Sequence, residues 1–305
     1  MLELQSVAQR QGAVVPKSPW LPTASLALAD LAGRVLGLDV RRVPVRAGTS
    51  KLVGGIHNRE VLLANRAFQA QALRHAQGPV LTIGGDCGVE TVPLGFARQR
   101  FGPALGVLWF DAHGDLNTPA TSPSGAYHGM ALRHAFGEGD RDFVLDSPIV
   151  SRRVVLVGAR ALDPGEQAMV DRGLVRHVPI ERDYDASWVV GAATASRAPQ
   201  FYLHIDLDVL DPSEFADVTC PVPGGLLISE LVEAIRAVAA VRPIIGAGIT
   251  ECATDNPDKL QVLAPILRAV GAALHAHSTA LPTQPAPIHS APVQPAPALP
   301  HPARR

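Results

Sequence analysis

Residues 109–119 read Trp109-Phe110-Asp111-Ala112-His113-Gly114-Asp115-Leu116-Asn117-Thr118-Pro119. The apolar run 105–108 precedes them, so we expect Asp111 at the end of a buried strand. Side chains alternate along extended chain, which places Asp111, His113 and Asp115 on one side. Carboxylate oxygens and an imidazole together suit a divalent ion such as manganese, cobalt, nickel or zinc. The same pattern also fits a turn with a capping aspartate, so these residues alone leave both interpretations open.

A second acidic stretch, at 204–212, reads His204-Ile205-Asp206-Leu207-Asp208-Val209-Leu210-Asp211-Pro212 and follows the apolar residues 201–203. Asp206 and Asp208 also share a face. If the two strand ends meet, four carboxylates converge, and a pair at ~4 Å repels by about 1 kcal/mol in water and about 4 kcal/mol at an effective dielectric of ~20. Two divalent cations would cancel that charge.

Short apolar runs alternate with helical patterns along the chain. The runs that indicate strands are Arg42–Val45, Val80–Ile83, Leu105–Phe110, Val154–Val157, Leu174–Val178, Phe201–Ile205 and Ile244–Ile249. Helical patterns lie at Ser25–Leu36 and near 57–77, 88–99, 164–172 and 229–240. This alternation predicts an α/β fold of βαβ units, with a mainly parallel sheet covered by helices on both faces. Ligands gather beyond the carboxyl ends of such strands, where both acidic stretches lie.

Composition excludes several classes of protein. With 305 residues, 47% of them apolar, the chain can bury a sizeable core. A net charge of -1 gives no basic footprint for nucleic acid. No cationic flank precedes an apolar block at the N-terminus, and no run approaches about 18 uncharged apolar residues, so we predict neither export nor a membrane span. The odd number of cysteines, Cys87, Cys220 and Cys252, indicates a reduced cytoplasm.

The acidic motifs carry a resemblance to a known family. D-A-H-G-D at 111–115 and D-L-D-V-L-D-P at 206–212, in this order, resemble the two aspartate motifs of the arginase and agmatinase (ureohydrolase) family. Gly84-Gly85-Asp86-Cys87 stands at the position of that family's Gly-Gly-Asp-His motif, with cysteine in place of histidine. Over residues 78–275 the resemblance implies a three-layer αβα fold, arginase/deacetylase-like, with a central mainly parallel sheet of about eight strands. It also implies a homo-oligomer, commonly a trimer or a hexamer.

The resemblance further implies two divalent metal ions, manganese in this family, and a hydroxide that bridges them and attacks the guanidinium carbon. Asp111 and Asp206 would bridge the ions. Asp115 would complete the first site with Cys87, and His113 and Asp208 would complete the second.

Cys87 is the departure from this pattern. A thiolate is softer than an imidazole and suits zinc or other late metals better than manganese. Cys87 either binds as a thiolate and alters metal preference, or stays protonated and weakens the first site. Both alternatives predict that Cys87→His raises manganese affinity.

The loop from Asn117 to Gly129 resembles that of arginases rather than that of agmatinases. The resemblance implies that Asn117, Ser122 and Ser124 bind the α-carboxylate of an amino acid, and such donors can orient a carboxylate without a competing fixed charge. Ala126 stands where arginases usually carry asparagine, so one contact to the head group is expected to be absent. The alternative is an ordinary turn rich in proline, serine and threonine.

Further residues match functional positions of the family. His128 matches the histidine that gives a proton to the departing amine, and Glu251 matches the glutamate that holds the guanidinium. With Asp115 they form the predicted catalytic set. Asp163-Pro164-Gly165-Glu166 reads both as a helix start with a capping box and as the acidic pair near the substrate's α-amino group, and the two interpretations are compatible. Cys220 stands where arginases usually have a threonine near the guanidinium.

The two ends of the chain differ from the middle. Residues 1–40 are poorly assigned and do not look like the family's usual opening strand and glycine-rich loop. We expect a single ureohydrolase-like domain at 41–275, with a last helix from Asn256 to about Ala273 that Pro265 kinks or breaks. Residues 282–305 hold eight prolines, and we predict that the tail 281–305 is disordered, with a short recognition peptide as the alternative.

The predicted function is therefore hydrolysis of the guanidino C–N bond of a small molecule, L-arginine to L-ornithine and urea. Agmatine, a guanidino acid or formiminoglutamate are alternative substrates within the family, and a binding or regulatory member without turnover is an alternative class. A zinc deacetylase on a related fold fits less well, because one metal does not need four such aspartates.

Overall fold

The structure, a computed structural model, describes residues 1–181 and 183–276. Its strands are β1 (Glu3–Val7), β2 (Val40–Arg42), β3 (Val80–Gly84), β4 (Gly106–Phe110), β5 (Val154–Val157), β6 (Arg176–Val178), β7 (Phe201–Asp206) and β8 (Ile244–Thr250). Its helices are α1 (Leu21–Leu36), α2 (Arg59–Leu73), α3 (Thr91–Phe101), α4 (Ala131–Ala135), α5 (Pro164–Asp171), α6 (Ala186–Ala195), α7 (Ile228–Val241), α8 (Pro257–Gln261) and α9 (Ala264–His275). The tail predicted to be disordered, 281–305, lies outside the described residues.

All eight strands form one parallel sheet in the order β2-β1-β3-β8-β7-β4-β5-β6. The prediction of an α/β fold with a central parallel sheet of eight strands is therefore confirmed. β8 is the last strand in sequence, and it lies between β3 and β7 in the middle of the sheet.

The two faces of the sheet bury alternate residues of each strand, as the period of two requires. On β4, Leu108 and Phe110 belong to the larger core with α1, α6, α7 and α9, whereas Val107 and Trp109 belong to a second core with α3, α4 and α5. Every residue of β3, β4, β7 and β8 is buried. Strands that are covered on both faces read as continuous apolar runs, which is why the sequence predicted them well.

Residues 1–40 contain helix α1, which includes the predicted helix Ser25–Leu36, and strand β1, which the sequence did not predict. β1 pairs with β2 on one side and with β3 on the other. Gln5 and Ser6 made the segment look polar, but the Gln5 amide is buried and donates to Thr82 Oγ1 at 2.9 Å. The domain boundary placed at residue 41 therefore falls inside the sheet, between β2 residues that pair with β1.

Other differences concern the limits of elements. β2 lies at Val40–Arg42 rather than at 42–45, and helix α6 was not predicted. Its sequence, Ala186–Ala195, is rich in alanine and has little apolar periodicity; its start is capped by Asp185, which accepts from Ser187 N at 2.7 Å. The predicted break in the last helix is confirmed, since α8 ends at Gln261 and α9 begins at Ala264 with Pro265 in its first turn. Over the described ranges 1–181 and 183–276, none of the helices combines the length and apolar character needed to cross a membrane.

Candidate metal centre and active site

Four adjacent strands bring the predicted site residues to one edge of the sheet. β3, β8, β7 and β4 are neighbours in that order. Asp206 is the last residue of β7, Asp111 follows β4, Glu251 follows β8, and Cys87 lies three residues beyond β3. Parallel strands present their carboxyl ends at the same edge of the sheet. The four residues therefore meet there although they are far apart in sequence.

The Cys87 thiol lies where two groups of potential metal ligands meet. Single ligand atoms of Cys87, Asp111, Asp115 and His204 all lie within 4.8 Å of one another, and the same holds for Cys87, Asp206 and Glu251. Cys87 Sγ donates to Asp206 Oδ2 at 3.1 Å and lies 3.0 Å from Thr250 Oγ1. All of these side chains are buried.

A third group of potential ligands joins Asp111, His113 and Asp208. His113 Nδ1 lies 3.0 Å from Asp208 Oδ2 and 3.5 Å from Asp111 Oδ1. Backbone donors fix the carboxylates, because Asp111 Oδ1 accepts from His113 N at 2.7 Å and Asp208 Oδ1 accepts from Ala112 N at 3.0 Å. The six predicted ligands are thus brought together, and Cys87 and Asp111 each belong to two of the three groups.

The electrostatics of these residues fit a divalent cation. Burial, followed by the charge of Asp111, raises the pKa of Asp115 well above its ordinary range, and burial followed by the charge of Asp208 does the same for Asp206. Asp115 Oδ2 is buried and has no hydrogen-bond partner in the described part of the chain. A bound cation would reverse these shifts and satisfy that oxygen. Oxygen, nitrogen and sulfur donors together suit a divalent transition ion.

His113 and Cys87 respond differently to the same surroundings. Burial lowers the pKa of His113, but its hydrogen bonds with Asp111 and Asp208 outweigh that effect and raise the pKa of the imidazole. Burial, and then the charge of Asp206, raises the pKa of the Cys87 thiol. Without a cation, the thiol therefore stays protonated and serves as a hydrogen-bond donor.

Two of the predicted catalytic residues have left-handed backbone. Asp115 has φ 52° and Glu251 has φ 65°. Such a conformation costs a non-glycine residue about 1–3 kcal/mol and persists where neighbouring contacts enforce it. Glu251 N donates to Gly85 O at 2.7 Å, and Asp115 O accepts from Arg133 N at 3.0 Å. Both side chains are thereby turned into the cluster.

His128 and Glu251 face each other beside the cluster. His128 Nδ1 lies 3.1 Å from Glu251 Oε1, which also accepts from Cys87 N at 3.0 Å. Burial opposes protonation of His128, but the hydrogen bond and the charge of Glu251 raise its pKa. Burial raises the pKa of the Glu251 carboxyl. The hydrogen bond with His128 and the charge of His128 lower it, and the pKa stays below its ordinary value.

The loop predicted to bind the substrate's head group is internally hydrogen-bonded. Asn117 is buried; its Nδ2 donates to Asp163 Oδ2 at 2.8 Å and its Oδ1 accepts from Thr121 Oγ1 at 2.9 Å. Ser122 Oγ accepts from Gly125 N, and Ser124 Oγ accepts from Ala126 N. The two hydroxyls lie 3.5 Å apart, so one of them at least keeps a free O–H for a ligand. Asn117 therefore braces the loop, while the serines lie at its accessible rim.

The capping interpretation of Asp163 and Glu166 is confirmed, because both hydrogen bonds of a capping box are present at the start of α5. Glu166 Oε1 also accepts from Leu116 N at 3.0 Å, so this helix holds the residue after Asp115. Burial raises the pKa of Glu166 to about 7. Their contact with a substrate amine stays a prediction.

This chain resembles known proteins in sequence and in fold. A model of the arginase family matches residues 24–264, a span that includes all three strand-end motifs. The chain belongs to the arginase family. Arginase from Bacillus caldovelox is 35% identical over 180 residues, 56% of this chain and 60% of that protein. N(omega)-hydroxy-L-arginine amidinohydrolase from Streptomyces lavendulae is 33% identical over 221 residues, 72% of this chain and 77% of that protein.

Among solved structures, arginase from Entamoeba histolytica in complex with L-ornithine shares the fold with a TM-score of 0.77 at 20% identity, covering 90% of this chain and 98% of that one. The sequence matches are shorter, and this arginase-family chain spans about half to three fifths of the curated arginases it matches.

Thr219 is a site residue of this arginase-family chain that the sequence analysis missed. Its hydroxyl donates to Glu251 Oε2, whereas the sequence indicated the next residue, Cys220, as the one near the guanidinium. Burial raises the pKa of the Cys220 thiol to about 11. No local pattern marks Thr219; only the approach of its loop to β8, through the bridge between Val218 and Cys252, reveals it.

Arg160 is a second missed residue, and it holds the loop that carries Asp208. Its guanidinium donates to the carbonyl oxygens of residues 158, 208, 209, 222 and 223, at distances from 2.7 to 3.4 Å. Five planar donors suit such a set of carbonyl oxygens, and a lysine could not satisfy them all. A lone arginine after a strand carries no sequence signal for this role.

His204 is the third, and here a signal existed. His204 stands two residues before Asp206 in this arginase-family chain. Side chains alternate along a strand, so the face that Asp206 and Asp208 were predicted to share includes His204 as well. His204 was not among the metal ligands predicted from the sequence.

Proposed function

We propose that this chain hydrolyses the guanidino C–N bond of L-arginine to give L-ornithine and urea. The observation that carries the proposal is the position of Glu251: its carboxylate joins His128 to Cys87 in the cluster of potential metal ligands. A carboxylate that can hold a guanidinium is thus placed directly beside groups that can hold metal ions.

In this proposal two divalent ions are held by the six residues predicted from the sequence. Cys87 and Asp115 would hold the first ion and His113 and Asp208 the second, and Asp111 and Asp206 would serve both. When bound, the ions supply positive charge that lowers the pKa of water and makes hydroxide available near neutral pH.

Glu251 and His128 then divide the work on the substrate. A guanidinium and a carboxylate pair through two parallel hydrogen bonds, and Glu251 already has Thr219 and the Cys87 amide to fix its orientation. The arriving guanidinium competes with His128 for Glu251 Oε1. Before substrate arrives, the contact with Glu251 raises the pKa of His128 and so keeps the ring protonated. Once released from that contact, His128 can give its proton to the departing amine.

The preference for an amino acid over a decarboxylated amine rests on the loop 117–129. Ser122 and Ser124 lie at its rim and retain an O–H that can donate to an α-carboxylate. Asn117 supports them from below through Asp163. We infer that agmatine, which lacks the carboxylate, gains nothing from these hydroxyls.

The test is urea release by protein loaded with manganese, cobalt or zinc, after metal content per chain has been measured. The panel holds L-arginine, N-hydroxy-L-arginine, agmatine, a guanidino acid and formiminoglutamate. Hydroxyurea is measured for N-hydroxy-L-arginine and formamide for formiminoglutamate, because neither compound releases urea. We expect the highest kcat/KM for arginine and its loss in Glu251→Gln. Faster turnover of agmatine would overturn the substrate and leave the reaction class intact. Two bound ions without turnover of any compound would favour a binding or regulatory protein.

A further inference from the structure

A buried imidazole that the proposed reaction does not use lies against the metal ligands. His204, on β7, is fully buried. Its ring stacks on Trp109 with 3.6 Å between ring centroids and 22° between ring planes, so its orientation is fixed by packing. It is paired with Trp109 on β4 and with Gly248 on β8 in the sheet register.

One edge of the ring points at the cluster. His204 Nε2 lies 3.7 Å from Cys87 Sγ. A ring nitrogen of His204 lies within 4.8 Å of single ligand atoms from Cys87, Asp111 and Asp115. These four residues include two carboxylates, a thiol and an imidazole, a set that can surround one ion from several sides.

The other edge of the ring faces a buried carboxylate. His204 Nδ1 lies 3.4 Å from Glu90 Oε2. Glu90 is fully buried, and Tyr202 Oη donates to its Oε2 at 2.9 Å. Neither His204 Nδ1 nor Glu90 Oε1 has a hydrogen bond within the described residues. A histidine that binds metal through one nitrogen usually gives its other N–H to a carboxylate, which fixes the ring and its tautomer.

Gly248 makes room for that carboxylate. A Cβ built at Gly248 would lie 2.0 Å from Glu90 Oε1 and 2.3 Å from Glu90 Oε2. Any larger residue on β8 at this register would push Glu90 away from His204. The sequence therefore contains both the histidine and the small residue that lets a carboxylate sit behind it.

We propose that His204 is a metal ligand, bound through Nε2 and positioned by Glu90 at Nδ1, so that it joins Cys87, Asp111, Asp115 and the shared Asp206 at the first ion. The proposal rests on the metal-binding part of the proposed function. Thiolate, imidazole and carboxylate donors on one ion are typical of zinc and of cobalt as its substitute. The second position, with imidazole and carboxylate donors only, suits manganese, so the two ions of one centre would differ.

The test uses the full chain, stripped of metal with a chelator and titrated with cobalt. Cobalt bound by Cys87 gives a thiolate-to-metal absorption band in the near ultraviolet. His204→Asn keeps a donor facing Glu90 and removes Nε2, whereas His204→Gln restores an oxygen near the Nε2 position. We expect His204→Asn to weaken cobalt and zinc binding by about 100-fold and Glu90→Gln by about 10-fold, with His204→Gln between wild type and His204→Asn.

His134→Asn is the matched control, because His134 is also a fully buried imidazole but its ring nitrogens are occupied by Met130 O and Asp140 N. It should leave cobalt affinity unchanged. Circular dichroism and thermal melting of every variant separate loss of a ligand from loss of the fold.

X-ray absorption at the zinc edge gives an independent reading. In His113→Asn the other imidazole of the centre is absent, and we expect zinc at one equivalent to show a sulfur and an imidazole on the same ion. The imidazole signal should vanish when His204→Asn is added. Sulfur without imidazole, with cobalt affinity unchanged in His204→Asn, would overturn the role of His204 and leave the proposed function standing. If neither cobalt nor zinc bound at all, this proposal would be wrong; if manganese also failed to bind in the same titration, the metal-dependent function would be wrong as well.

Discussion

Replacing Cys87 by histidine is expected to harm the site unless His204 is shortened at the same time. The sequence alone predicts that Cys87→His raises manganese affinity. In the structure, Cys87 Sγ lies 3.0 Å from Thr250 Oγ1, 3.1 Å from Asp206 Oδ2 and 3.7 Å from His204 Nε2. An imidazole would put a five-membered ring where one sulfur atom already fills the space.

Overpacking of a well-packed site costs about 1–3 kcal/mol, so we expect Cys87→His alone to lower the free energy of unfolding by about 2 kcal/mol and to bind manganese no better than wild type. His204→Ala vacates the space that the new ring needs. The free energy of unfolding of the double variant should therefore be about 1–2 kcal/mol higher than expected if the effects of Cys87→His and His204→Ala simply added.

The assay is a double-mutant cycle on metal-free protein, with urea unfolding followed by circular dichroism and manganese binding by calorimetry. A Cys87→His variant within about 0.5 kcal/mol of wild type, together with additive effects in the cycle, would refute the steric argument. Higher manganese affinity in the single variant would restore the expectation drawn from sequence.

Further outcomes are expected from other sites. Arg160→Lys should lower the free energy of unfolding by about 2 kcal/mol, since an ammonium cannot satisfy the same carbonyl oxygens, and thermal melting would test it. Gly248→Ala should lower the free energy of unfolding by about 1–3 kcal/mol. Gly191→Ala should raise it slightly, because the added Cβ lies in open space on helix α6. Equal melting temperatures of the two variants would contradict this. The pKa of Glu166 is raised from 4.5 to about 7, so the folded protein binds that proton more tightly and stability falls as pH rises between those values. Relative to Glu166→Gln, metal-free wild type should lose on the order of 3 kcal/mol between pH about 4.5 and about 7, and an unchanged difference in urea unfolding would count against it. Cutting the chain after Ala280 should leave melting temperature and activity unchanged, which a parallel assay of both proteins checks.

The sheet could be predicted from sequence because its central strands are apolar without interruption. β1 was not predicted because three of its five residues, Glu3, Gln5 and Ser6, are polar. The buried amide of Gln5 bonds to Thr82, which is distant in sequence. The alanine-rich α6 escaped for a different reason: small side chains give little contrast between its faces. In both cases the information lies in contacts between segments, which a local pattern does not contain.

For the site, the residue types in the motifs indicated the cluster, and the parallel order of the strands brings it together. Motifs could not identify Thr219 or Arg160, because the contacts of their side chains form only where loops distant in sequence approach each other. The sequence did not indicate Glu90 either, because a glutamate at the start of a helix is ordinarily exposed. Here its burial depends on the space left by Gly248 on strand β8. The contacts of Thr219, Arg160 and Glu90 depend on which strands and loops are neighbours in the folded chain.

The place of β8 in the sheet has a consequence for how the protein is made. One set of strands, β2-β1-β3, comes from the first part of the chain, and the set β7-β4-β5-β6 from later parts; β8 joins them. Cys87 belongs to the first set, and Asp111 and Asp206 belong to the second. On the ribosome the two halves emerge well before the strand that unites them, and pairing of such distant segments is slow. In the proposed two-metal centre, the position that includes Cys87 would form only after residue 250 has left the exit tunnel, because β8 is needed to bring β3 beside β7. Asp111, His113 and Asp208 follow the directly paired strands β4 and β7, so their position could form earlier.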